Sequence, residues 1–227
     1  HELESFSETE VLNGKNSFWL GASDGSHGEV IQFATATLIS NSPKTYQLSN
    51  LLRGRRATEH ETSLHTTNEI FVFFDVDLLR TMDFGSADFN KSRRYKGVSI
   101  YQSEDDIVTS QEFIATGERK RPRSPVNATG ERDSSNNLTI NWTRRVRGYT
   151  SGPGYGDVPL DEVSESYQIE IMSGATVKRT LTATTPTVTY TAAQQTTDGF
   201  TPGNPITVKI YQLSAIVGRG HPGVFTI

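Results

Sequence analysis

From residue 126 onward the chain alternates apolar and polar side chains with a period of two, one segment after another. Leu138, Ile140 and Trp142 alternate with Thr139, Asn141 and Thr143, and Tyr167, Ile169 and Ile171 with Gln168 and Glu170. Val188 and Tyr190 sit between Thr187, Thr189 and Thr191, and Ile206, Val208 and Ile210 alternate with Thr207 and Lys209. Successive Cβ atoms of a strand point to opposite sides of a sheet, so this period marks strands with one buried face. Turn formers separate them: Asp133-Ser134-Ser135-Asn136, Ser173-Gly174, Asp198-Gly199 and Pro202-Gly203-Asn204-Pro205. Further strands near Val126, over 177–183 and over 224–227 bring the total to about seven, the size of an immunoglobulin-like sandwich. The stretch 146–165, rich in Gly and Pro, interrupts the pattern as a long loop between the second and third of these strands.

The earlier residues are also strand-like. Residues 29–39 (EVIQFATATLI), 46–52 and 70–76 (IFVFFDV) are the clearest, with weaker segments at 95–102 and 111–116 and a helical turn suggested at 77–82. The continuous apolar run at 70–76 suggests a strand buried on both faces. The expected class is all-β: a β-barrel or β-sandwich over 1–117, a linker over 118–125 and a second β-sandwich over 126–227. The linker reading rests on Gly117 to Pro125 (GERKRPRSP), charged and proline-containing with no apolar side chain besides its prolines. The chain opens on His1, which suggests a piece of a longer polypeptide.

Composition narrows function. A net charge of -4 gives no support to general binding of nucleic acid, which needs a basic excess to neutralise phosphates. The absence of cysteine excludes disulfide scaffolds, thiolate zinc sites and thiol nucleophiles. No apolar run approaches the roughly 20 residues of a membrane span.

Motifs that suggest chemistry fail on spacing. In His60-Glu61-Thr62-Ser63-Leu64-His65 the histidines are five apart, not four, which sets them about 140° apart around a helix. A polar surface loop is the better reading. Ser151 to Gly156 (SGPGYG) lacks the Lys and Ser/Thr of a phosphate loop, and no G-x-S-x-G elbow is present. Asp75, Asp77 and Asp83, and Glu104, Asp105 and Asp106, read as solvated turns. Neither an enzyme activity nor a cofactor or metal is expected of this chain.

Two basic runs and two tyrosines remain. Arg53, Arg55 and Arg56 either contact an anionic partner or form surface ion pairs, and the two readings stand level. For Arg144, Arg145 and Arg147 the ion-pair reading is favoured. Tyr149 and Tyr155 on the long loop are candidates to stack on a sugar or anchor a protein contact, or one of them caps the sandwich edge.

Residues 10–16 (EVLNGKN), 29–33 (EVIQF) and above all 46–59 (YQLSNLLRGRRATE) resemble the tail-tip proteins of siphophages and gene transfer agents. In that family a segment of the type Y-x-L-S-x-L-L-R-G-R-x-G-T-E is typical, and Ala57 here replaces its glycine. SPVNATGERD, LTINWTRRVRG, DVPLDEVSESYQIEI and IYQLSAIVGRGHP follow in the family's order. The resemblance implies the C-terminal region of a host-specificity protein-like hub, typically homotrimeric, located in the virion at the tail tip or baseplate. Its implied partners are the distal tail protein and fibre, with a host surface glycan or protein as a further candidate. A hydrolase-like domain is implied only upstream of this chain. The second half is implied to be a fibronectin type III-like module with Trp142 as its core tryptophan.

Overall fold

The computed structural model describes residues 2–75, 84–103, 105, 109–147 and 159–227. It divides into two units, His1–Asp83 and Phe84–Ile227. The suggested turn at 77–82, Tyr149, Tyr155 and the SGPGYG stretch lie outside the described residues, as do the carboxylates Asp77, Asp83, Glu104 and Asp106.

The first unit holds α1 (Glu8–Leu12) and strands β1 (Ser17–Gly21), β2 (Gly28–Asn41), β3 (Lys44–Arg55) and β4 (Ile70–Phe73). The strands form one sheet in the order β3-β2-β1-β4, antiparallel throughout. Glu29 to Phe33 are all buried, and β1 and β3 pair with the two edges of this part of β2. β1 ends opposite Gly28 to Gln32, and beyond it the β2–β3 ribbon runs on with Leu38 and Ile39 exposed. Phe18, Ile31 and Phe33 form the core, packed by Leu3, Leu20, Leu48 and Phe73. α1 starts at Ser7, whose hydroxyl accepts from the Glu10 N–H while the Glu10 carboxylate accepts from the Ser7 N–H.

The class is all-β. Among the described residues the first sheet is open, with β3 and β4 as edges, in place of the barrel or sandwich that the sequence suggests. The described part of the apolar run, 70–75, is not buried on both faces either. Among the described residues β4 pairs only with β1, and Ile70, Phe71 and Val72 are 43%, 39% and 42% exposed. Its aromatic residues pack from an edge: Phe71 lies 4.6 Å from Phe18 between ring centroids.

The second unit opens with a two-stranded ribbon, β5 (Ser92–Tyr95) against β6 (Gln111–Ile114). The strand suggested at 95–102 stops at Tyr95, and Ile100 and Tyr101 stand exposed. Then follow β7 (Val126–Arg132), β8 (Leu138–Thr143), β9 (Tyr167–Ser173), β10 (Thr176–Ala183), β11 (Thr187–Tyr190), α2 (Ala192–Thr197), β12 (Thr207–Ser214), β13 (Gly218–Arg219) and β14 (Gly223–Thr226). One sheet has the order β11-β8-β7; the other has β10-β9-β12, with β13 and β14 both paired to β12. The alternating residues of β8, β9 and β12 meet in one core: Leu138, Ile140 and Trp142 with Ile169, Ile171, Val208 and Ile210. The Trp142 indole meets the Tyr167 ring edge-on at 5.0 Å. Three strands in the order 5-2-1 facing four in the order 4-3-6-7, counted over the seven long strands, is the fibronectin type III-like arrangement.

The proline-containing stretch before β7 is packed onto this sandwich. Pro122 and Pro125 are buried, and the Pro122 carbonyl accepts from the His221 N–H at 3.2 Å. Arg123 donates to the Arg147 carbonyl at 3.0 Å, and Arg147 donates to the Lys120 carbonyl. The division between units accordingly falls before Phe84, not within 118–125. Among the described residues no helix is long and apolar enough to cross a membrane.

Candidate functional site

The most distinctive chemistry of the first unit is built where β2 and β3 slip register. Val30 lies opposite Arg55 but Gln32 lies opposite Leu52, so β3 carries one extra residue there. Gly54, at φ +62°, takes up the irregularity, as glycine does in this class of bulge. A Cβ on Gly54 would lie 2.9 Å from Glu59 Cγ, so both backbone angle and space require glycine. The bulge turns the Gly54 N–H onto the Glu29 carboxylate.

Glu29 has a fully buried side chain. Arg53 Nε lies 2.9 Å from both of its oxygens and Arg53 Nη2 lies 2.6 Å from Oε2. Arg53 Nη2 also donates to the Thr62 carbonyl at 2.9 Å. His65 Nε2 lies 2.7 Å from Glu29 Oε2, and His65 Nδ1 lies 2.6 Å from Glu69 Oε2. The other Glu69 oxygen accepts from the Thr66 N–H at 2.8 Å and lies 2.9 Å from His27 Nε2. An ionised carboxylate only accepts, so both His65 nitrogens donate and the ring is an imidazolium.

The electrostatics agree. Burial pushes the Glu29 carboxyl up, but Arg53, the Gly54 N–H and His65 outweigh it and leave it below the usual range. The hydrogen bonds from His27 and His65 hold Glu69 at about 2. Burial pulls His65 down, yet Glu69 and Glu29 together raise it above its ordinary 6.5.

A second buried polar group lies beside this network. Gln32 donates to the Val11 and Lys15 carbonyls at 2.6 and 2.9 Å and accepts from Arg55 Nε at 2.7 Å. Beyond it, Arg56 and Ala57 both adopt positive φ, +55° and +71°. Thr58 then ties the turn down: its hydroxyl accepts from the Val30 N–H at 3.0 Å and donates to the Arg55 carbonyl at 2.8 Å. An open groove of about 380 Å³ adjoins these residues, lined by Phe18, Ile31, Leu51 and Phe71 together with Arg53 and His65.

The arginines of the first basic run thus differ. Arg53 and Arg55 engage Glu29 and Gln32 within their own unit, while Arg56 is exposed. In the second run, Arg147 pairs with Glu162 and its N–H donates to Asp161 Oδ2 at 2.8 Å, and Arg144 Nε lies 3.6 Å from Glu165. The two histidines of the failed zincin pattern do not act together: His60 pairs with Glu61 at 2.9 Å, whereas His65 bridges Glu29 and Glu69. Sequence reasoning missed Glu29, Glu69 and His27. A glutamate at the head of an apolar strand and the His65-to-Glu69 spacing of four were the available signals.

The model of the family described as "Rcc01698-like, C-terminal" matches residues 1–72. No curated protein matches the chain. Among solved structures, domains d3–d4 of the rat CD45 extracellular region share 10% identity at a TM-score of 0.34, over 86% of this chain and 96% of that one. The FN5 domain of Drosophila Lar shares 11% at a TM-score of 0.27, over 46% of this chain and 95% of its own.

Proposed function

We propose that this chain is a structural component of a phage-type tail tip or baseplate hub, positioning distal fibre or receptor-binding parts during host attachment and genome delivery. The observation that carries the reading is the coincidence of two signals. The match to the Rcc01698-like, C-terminal family spans residues 1–72, and three of the segments that resemble tail-tip proteins, 10–16, 29–33 and 46–59, lie within the same residues. The side chains of the most recognisable segment, 46–59, support a structural role. Arg53 and Arg55 brace the sheet from within, and Gly54 and Thr58 shape its bulge and turn. A fibronectin type III-like module following such a sheet suits a spacer. On this reading the partners are the distal tail protein and fibre, in a homotrimeric hub of the virion.

Cryo-electron microscopy of particles, with the chain tagged, tests this directly. Density at the tail tip is expected; a chain found in the capsid, or absent from particles, overturns the proposal. Adsorption of particles carrying Tyr149→Ala and Tyr155→Ala separates it from a glycan- or receptor-binding role of the 146–165 loop. Unchanged adsorption is the expected result. Zymography of the chain on cell-wall material is expected to show no clearing.

A further inference from the structure

His65 ties together three parts of the first unit that are distant in sequence. Its ring reaches Glu29 on β2 and Glu69 ahead of β4, at 2.7 and 2.6 Å. Arg53 of β3 grips the same Glu29, and His27 from the β1–β2 connection grips the same Glu69. On its own segment the charged neighbours are Glu59, His60 and Glu61, of which His60 and Glu61 pair with each other at 2.9 Å.

Both carboxylates are held independently of His65. Glu29 keeps Arg53 and the Gly54 N–H; Glu69 keeps His27 and the Thr66 N–H. The ring is therefore the replaceable member of the network. A neutral imidazole has a single N–H. After loss of one proton, one ring lone pair would face a carboxylate oxygen at under 3 Å, which is repulsive in a site where Glu29 is fully buried and Glu69 is 4% exposed. The ring itself is 19% exposed, which gives the proton a path to solvent.

We propose that His65 is a proton-operated latch, which holds the segment between β3 and β4 against the sheet while its ring is doubly protonated and releases it when one proton leaves. The segment supplies Thr62, Ser63 and His65 to the apolar groove. Release therefore changes one wall of that groove, and what the groove admits becomes dependent on pH. The direction is fixed by the acceptors: the latch is closed at low pH and opens as pH rises.

The test is a nuclear magnetic resonance titration of the full 15N-labelled chain from about pH 5.5 to 9, a range that spans ordinary histidine titration. The His65 ring nitrogens and the backbone amides of Gly54 and Thr66 are followed together. The expected result is a ring midpoint above 6.5, with both amides shifting at that same midpoint. In His27→Gln, which leaves both His65 contacts in place, the coupled shift persists. In His65→Gln the two amides lose this pH response. A ring midpoint at or below 6.5, amides that do not follow it, or a His65→Gln chain retaining the wild-type response would each overturn the proposal. If His65→Gln does not fold, the wild-type and His27→Gln titrations decide the matter alone.

Discussion

Arg53 holds Glu29 side-on, its Nε 2.9 Å from both carboxylate oxygens and its Nη2 2.6 Å from Oε2, although the two residues lie 24 apart in sequence. Glu29 is fully buried while Arg53 is 40% exposed, so the two partners depend on each other unequally. Removing the arginine takes the guanidinium from a buried carboxylate and leaves it the Gly54 N–H and His65. Arg53→Ala is expected to destabilise the first unit by about 3 kcal/mol, the scale for breaking a buried pair from one side. Arg53→Lys recovers only part of this, because an ammonium cannot make the fork of parallel bonds. Urea unfolding followed at the amides of Val30 and Ile31 measures both changes within the first unit.

Ala57 sits at φ +71°, the position where the tail-tip pattern carries glycine. A left-handed conformation costs a non-glycine residue roughly 1–2 kcal/mol. The added freedom of glycine in the unfolded chain takes back about 0.4–1 kcal/mol. Ala57→Gly is therefore expected to stabilise the first unit by about 0.5–1 kcal/mol, read from the same urea midpoints. The opposite sign is expected for Gly54→Ala, where positive φ and contact with Glu59 coincide.

Glu69 and Glu29 contribute to the acid limb of stability in the first unit. The folded carboxyl of Glu69 titrates at about 2 against an ordinary 4.5, and that of Glu29 is also lowered. A depressed carboxyl stabilises the fold above its unfolded pKa and loses that contribution as pH falls through the folded one. The melting temperature of the first unit is expected to fall as pH drops from 4.5 toward 2, and Glu69→Gln is expected to flatten that fall. Scanning calorimetry across this range, with unit-specific amide signals to identify the transition, checks both.

The packed approach to the sandwich is tested at Gly223. A Cβ there would lie 2.3 Å from the Pro125 carbonyl oxygen and 2.6 Å from the Phe225 ring. Gly223→Ala must push the Pro125 backbone away or displace β14, at a cost of about 1–3 kcal/mol, typical of overpacking. The expected accompaniment is faster tryptic cleavage after Lys120 and Arg123, since the stretch they occupy would lose its seat on the sandwich.

Legibility differed between the two halves for physical reasons. The strands of the sandwich were read from alternation because each has one buried face, and periodicity reports a buried face directly. Residues 70–76 misled because an apolar run looks the same in a central strand as in an edge strand whose side chains line a groove. Two helix starts went unread although their signals were local: Ser7 with Glu10, and Thr191 with Gln194, each forming a capping box. Their helices are only five and six residues long, too short to impose a helical period on the sequence.

The sequence by itself determined the all-β class, the strands of the sandwich, the burial of Trp142 and the exclusion of thiol chemistry, because these depend on side-chain type and near-neighbour spacing. Tertiary structure alone decided that Arg53 turns inward to Glu29, that His65 bridges two carboxylates and that Pro122 and Pro125 pack on the sandwich. Each of these depends on which distant residues meet. For Arg53 and His65 that is set by the register of β2 against β3 and by the bulge at Gly54; a glycine within a strand run marks a bulge, but no short window of sequence says which distant residues it brings together.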